Sequence, residues 1–221
     1  MSIKIDTVYP ADSVEFCPDS TSDIFACGTY KLLEGQTSNI AGQNRVGQCL
    51  IYKWSSDESH ISAEKIQHID LPAVLDMKWS HKSASNRPLL GIADSGGNIS
   101  LHEWDRDKSQ LGTVASIRVA PSSETLCLSL DWSNRRRQTA DSDHIVASLS
   151  NGDLCILNVD NVSQSSFRSS VRLWRAHDYE PWITAWDYWN TNLIYSGGDD
   201  LKFKAWDLRE DLTRPIFLNK M

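Results

Sequence analysis

Tyr195-Ser-Gly-Gly-Asp-Asp-Leu-Lys-Phe-Lys-Ala-Trp-Asp207 is the stretch that decides the fold. A short run ending in small residues enters a Gly-Asp turn, and the strand that leaves it ends on tryptophan. A tryptophan inside a sheet has one indole N–H to satisfy, and a serine hydroxyl is a fitting acceptor. Upstream, the histidine of Ala176-His177 can hold that hydroxyl, and the turn carboxylate can hold the histidine. Asp200, His177, Ser196 and Trp206 therefore read as one buried hydrogen-bonded relay. Leu201 stands where such a turn prefers glycine, so strain or rearrangement is expected there.

Outward from this stretch the same grammar recurs three times. An alternating strand ends in a large aromatic (Phe16, Trp79, Trp132 and, in the fourth unit, Trp189). A mostly apolar strand and a turn follow, then a strand ending at Trp54, Trp104, Val159 or Trp206. The first markers lie 63, 53 and 57 residues apart, beyond the roughly 40–45 usual for one propeller blade. Polar connections at Lys31–Val46, Ser80–Arg87 and Ser133–Asp143 absorb the excess. Short strands of period two, separated by Gly, Asn and Asp turns, imply an antiparallel all-β architecture. The fourth unit resembles the WD-repeat signature, with Ala176-His177 in the place of its Gly-His pair. The expected fold is an all-β, WD40-type β-propeller with four blades of an expected seven. The blades fall at about 11–54, 73–104, 125–159 and 180–219 within one partial domain, 1–221. Such an arc leaves two end sheets uncovered, so the isolated chain is expected to self-associate or aggregate, as a shortened product or fragment would.

Composition narrows the function classes. A net charge of −7 argues against a general nucleic-acid binder, which needs a basic face. The run Arg135-Arg136-Arg137 reads as a solvated loop tip. No apolar run approaches the eighteen or so residues of a membrane span, and residues 1–10 carry no signal-peptide core. The five cysteines (Cys17, Cys27, Cys49, Cys127, Cys155) include no CxxC pair and mostly sit in strand-like runs. Reduced, buried thiols and a cytoplasmic location follow as expectations. The Asn-x-Ser matches at Asn98 and Asn161 read as chance.

The blocks Ala11-Asp-Ser-Val-Glu-Phe-Cys-Pro18, Ala26-Cys-Gly-Thr-Tyr30, Leu75-Asp-Met-Lys-Trp79 and Leu128-Ser-Leu-Asp-Trp132 follow one another in a particular order. Ala176-His-Asp-Tyr-Glu-Pro-Trp182 and Tyr195-Ser-Gly-Gly-Asp-Asp200 complete the series. From about Asp12 to Arg209 it resembles the diphthine methyl esterases, the WD-repeat proteins of diphthamide biosynthesis, over their N-terminal portion. The resemblance implies hydrolysis of the methyl ester of methylated diphthine on translation elongation factor 2, giving diphthine. It implies no cofactor, no nucleic acid and no membrane, only that protein substrate. The alternative class is a non-catalytic WD-repeat scaffold for protein interaction, which fold alone would favour.

Ester hydrolysis needs an activated nucleophile, a proton acceptor and stabilisation of an oxyanion. The sequence has no G-x-S-x-G elbow and no H-E-x-x-H. Its six histidines (His60, His68, His81, His102, His144, His177) show no metal-ligand spacing, so no metal is expected and no catalytic residue is assigned. His177 could serve as a base, but the relay reading is favoured. Asp178, Glu180 and Trp182 lie on the loop into the fourth inner strand, and Asp199 lies in the adjoining turn. Carboxylates beside an aromatic suit a trimethylammonium group, which makes these four the candidate substrate-binding residues. The plainer reading leaves Glu180 solvated and Trp182 in the core. Ser95 and Ser150 read as turn hydrogen-bonding groups, and Cys27 as an inert thiol. A channel-mouth site in an open arc lacks what further blades would add, so the chain alone is expected to be inactive.

Overall fold

Alternation of period two becomes strand throughout the computed structural model. It describes residues 3–18, 23–33, 45–56, 61–81, 88–136, 143–159 and 171–220. Arg137, His60, Asn161 and most of the polar connections fall outside the described residues. The first sheet holds β1 (Ala11–Phe16), β2 (Ile24–Thr29), β3 (Lys31–Leu32), β4 (Arg45–Ser56) and β5 (Ile61–Pro72). The second holds β6 (Val74–Trp79), β7 (Leu89–Asp94), β8 (Asn98–Asp105) and β9 (Gln110–Arg118). The third runs through β10 (Cys127–Trp132), β11 (His144–Leu149), β12 (Asp153–Asn158) and β13 (Val171–Arg175). The fourth runs through β14 (Ile183–Trp186), β15 (Leu193–Gly197), β16 (Lys202–Asp207) and β17 (Phe217–Lys220). All pairings are antiparallel, and no helix occurs among the described residues.

Every sheet thus continues past the third strand of its unit into an outer one, β5, β9, β13 or β17. The pattern of β13, mostly exposed, and the long polar run of β9 explain why outer strands give a weak sequence signal. The innermost strands β1, β6, β10 and β14 pack in series, so the sheets fan as blades of a WD40-type propeller. Three apolar layers fill the three gaps. Ile24, Cys49 and Ile51 meet Met77, Trp79 and Leu90 in the first gap. Ile99 and Leu101 meet Trp132 and Leu149 in the second, and Leu154 and Val146 meet Trp186 and Trp206 in the third. The end faces stay open: Val14 and Phe16 on one side, Ile183, Phe203 and Phe217 on the other, are exposed. The ring is incomplete.

A repeated side-chain staple holds the inner strands together. The Trp79 indole donates to the Glu15 carbonyl at 3.2 Å, Trp132 to that of Lys78 at 2.8 Å, and Trp186 to that of Asp131 at 3.1 Å. In return, Asp76 accepts from the Leu130 amide at 2.9 Å, and Asp131 accepts from the Trp186 amide at 2.8 Å. These three indole donors are therefore answered by the inner strand of the preceding sheet. This geometry corrects one marker. Trp186, not Trp189, occupies the fourth aromatic position; Trp189 is 78% exposed on the turn after β14. Two tryptophans three residues apart made the choice ambiguous in sequence. Phe16, in the first sheet, has no preceding blade to enter and is 60% exposed.

Candidate functional site

The turn of each sheet is tied to the loop that enters its inner strand by the same backbone bond. Tyr30 N–H donates to Pro10 at 2.9 Å, Ser95 to Ala73 at 2.8 Å, Ser150 to Leu126 at 3.0 Å and Asp199 to Glu180 at 2.9 Å. Turns and entry loops from all four sheets consequently gather on one face of the fan. A cavity of about 490 Å³ opens there. Arg45 reaches it from the first sheet and Ser95 from the second. The third sheet contributes Ser123, Glu124 and Ser150, and the fourth contributes Glu180 and Trp182.

Glu180 and Trp182 therefore meet in this cavity. Trp182 is 55% exposed, which removes the core reading for it, while Glu180 is half-buried. Gly198 makes room for them: a Cβ there would lie 2.5 Å from the Glu180 carbonyl oxygen. Asp178 and Asp199 do not line the cavity. The Asp178 carboxylate turns away to Lys202, whose ammonium hydrogen bond holds it below the usual carboxylate range. Asp199 is exposed in the turn. Ser150 Oγ accepts from the Leu126 amide at 2.9 Å, a structural bond. Arg45 and Glu124 escaped sequence reasoning. Arg45 sat at the end of what looked like a polar spacer, and only the return of β4 to the turn face brings it to the cavity.

The one Asp–His–Ser series is sealed away from this face. His177 Nδ1 lies 2.8 Å from Asp200 Oδ1, His177 Nε2 lies 2.7 Å from Ser196 Oγ, and the Trp206 indole donates to the same Oγ at 3.0 Å. His177 and Ser196 are each 1% exposed. Burial lowers the pKa of His177 although Asp200 pulls the other way, so the ring is held neutral. Burial pushes Asp200 up, but the hydrogen bonds from His177 and the Asp178 amide, with the nearby His177 and Lys204, together hold the carboxylate below its ordinary range. With its hydroxyl held between imidazole and indole and 1% exposed, Ser196 has no access to a substrate. A second such pair, Ser100 Oγ to His102 Nε2 at 2.9 Å, is equally buried, and desolvation drops His102 to about 4. All five cysteines are free and buried, and burial pushes Cys49 and Cys155 up to about 12. Burial also raises Cys27, which leaves it a thiol at neutral pH. Among the described residues no group of His, Cys, Asp or Glu is placed to hold a metal. No helix among the described residues is long and apolar enough to cross a membrane.

Fold and relay together define a WD-repeat β-propeller arc. Its backbone is similar to that of Sqt1 from Chaetomium thermophilum, with a TM-score of 0.62 at 15% identity over 90% of this chain and 43% of that one. That likeness speaks to fold alone. No family model matches the chain. Among curated proteins it is 35% identical to diphthine methyltransferase of Mus musculus over 98% of its length. It is 34% identical to that of Homo sapiens over 93%. Over the portion it spans, the chain belongs to the diphthine methyltransferase family. It covers 46% and 48% of those two relatives, about half their length.

Proposed function

We propose that this chain forms part of an enzyme that hydrolyses the methyl ester of methylated diphthine on translation elongation factor 2. Water adds to the ester carbonyl, the C–OMe bond breaks, and methanol, a proton and the diphthine carboxylate result. The single observation that carries the reading is the cavity itself. Four sheets converge on it, and it sets an exposed indole and a carboxylate side by side. Trp182 offers a π face and Glu180 a negative charge to the trimethylammonium group, an attraction of about 1–2 kcal/mol where water is partly excluded. The site is large enough for one modified side chain and opens toward a protein surface. The reaction consumes only water, and we place it in the cytoplasm, where elongation factor 2 works. In the family name the methyl group moves to the substrate; in this proposal it leaves as methanol.

The experiment is to incubate this chain, and in parallel the enzyme completed to the length of its relatives, with esterified elongation factor 2 and to follow the mass of the modified peptide. For the completed enzyme, loss of one methyl without any added methyl donor is the expected result, with Glu180→Gln slowing it about tenfold. An unchanged rate in Glu180→Gln would discard the cavity as the binding site. A protein that binds the factor but leaves its ester intact would be the scaffold of the alternative class.

A further inference from the structure

The cavity carries charge of both signs, and these charges do not neutralise one another. Arg45 stands on one wall, with Glu124 and Glu180 on others. Among the described residues Arg45 makes no ion pair. Its Nε donates to the Tyr30 hydroxyl at 2.8 Å, which fixes the planar group, and among the described residues neither terminal nitrogen has a hydrogen-bond partner. Tyr30 is itself anchored to the entry loop through its amide. A half-buried guanidinium held by the Tyr30 hydroxyl, on a cavity that Glu180 and Trp182 also line, makes a dipolar receptor. A purely cationic ligand would use only the Glu180 side and would be repelled by Arg45. A purely anionic ligand would meet the reverse. Both ends are satisfied by a small zwitterion with a quaternary ammonium and a carboxylate a few bonds apart.

From this we infer that Arg45 is the carboxyl anchor of the site, and that the cavity binds betaine-type zwitterions, α-trimethylammonio carboxylates, more tightly than their esters. The inference deepens the proposed function and rests on its placement of the ammonium at Glu180 and Trp182. Arg45 would take the ester carbonyl as a neutral acceptor and then the carboxylate as a charged one. A fork of two N–H donors matches a carboxylate in a way that no single ammonium does, and charge-assisted bonds are about twice as strong as neutral ones. The site is therefore expected to hold the acid formed by hydrolysis and to be inhibited by it.

Calorimetric titration of the whole protein with four probes tests this: glycine betaine, its methyl ester, tert-butylacetate (the same carboxylate with an uncharged head) and choline. Betaine is expected to bind about tenfold more tightly than its methyl ester, and Arg45→Gln to erase that difference. Arg45→Lys, which keeps the charge but not the fork, should keep part of it. Tert-butylacetate should bind the native protein and be lost in Arg45→Gln. Equal binding of betaine and its ester by the native protein, or a preference that survives Arg45→Gln, overturns the inference. The ammonium reading is judged separately, because choline and the methyl ester should weaken in Glu180→Gln, whereas Arg45→Gln should abolish the binding of neither. If they fail to bind while tert-butylacetate binds through Arg45, the proposed function loses its binding site and the anchor stands. If none of the four binds, both fall.

Discussion

Replacing Ser196 with alanine separates a structural relay from a catalytic one. In the native fold the Ser196 hydroxyl donates to His177 Nε2 and accepts from the Trp206 indole, at 2.7 and 3.0 Å. Alanine fits the space but removes both partners at once. The indole N–H and the imidazole nitrogen are then left buried and unpaired, because Trp206 and His177 are each 1% exposed. Each such group costs about 1–3 kcal/mol, so Ser196→Ala should lose about 2–6 kcal/mol. That is a large fraction of the roughly 5–15 kcal/mol that holds an ordinary domain. Urea unfolding followed by tryptophan fluorescence reads the loss as a lower midpoint at unchanged slope. At temperatures where the variant stays folded, ester hydrolysis should persist. Activity abolished with the midpoint unmoved would refute the relay and return Asp200, His177 and Ser196 to the candidates for catalysis.

Other expectations follow from the same contacts. Leu201 has a φ of 58°, in the place where the turns of the second and third sheets have Gly97 at 73° and Gly152 at 96°. A left-handed leucine costs about 1–2 kcal/mol, and the extra freedom of glycine in the unfolded chain returns about half of that. Leu201→Gly should therefore stabilise by about 0.5–1 kcal/mol on those terms, and a lower melting temperature would contradict it. Gly97→Ala should do the opposite, since its Cβ would meet that of Ala120 at 2.3 Å, and thermal melts of the pair give the contrast directly. Asp131→Ala strips the acceptor from the Trp186 amide between sheets, and a loss of about 2–3 kcal/mol should appear in the same denaturation assay. His102 titrates near 4 in the fold and near 6.5 when unfolded. The unfolded chain thus takes up its proton first, and stability falls as pH drops from 6.5 toward 4 by up to about 1.4 kcal/mol per pH unit. His177 acts in the same direction. The buried carboxyls Asp94 and Asp131, raised by desolvation, act in the opposite direction. Comparison of midpoints with His102→Gln across that range isolates the histidine, whose contribution should vanish in the variant.

How much was legible in the sequence depended on whether a feature was local. The inner three strands of each unit stood out because their apolar residues, alternating or continuous, and mostly aromatic strand ends enter the layers between sheets. The relay could be named because its members sit in one turn and one neighbouring loop. Of the outer strands only β17 fell within an expected blade, about 180–219; β13, for one, alternates against solvent and its apolar signal is diluted. Trp189 was taken for Trp186 because composition does not say which of two nearby indoles enters the gap between sheets. The cavity was half legible. Glu180 and Trp182 stood out on one loop, but their partners come from three other sheets and from residues up to 135 positions away, the separation of Arg45 and Glu180. Asp178 looked equivalent to Glu180 until Lys202, on the facing strand, was seen to claim it.

The most direct measurement concerns where the methyl group goes. Elongation factor 2 bearing isotopically labelled methyl ester on its modified histidine should, with the enzyme completed to the length of its relatives and water alone, release labelled methanol and lose one methyl from the peptide. If instead the label stays on the factor, or a methyl is gained when a methyl donor is supplied, the proposed reaction runs the wrong way and the account fails.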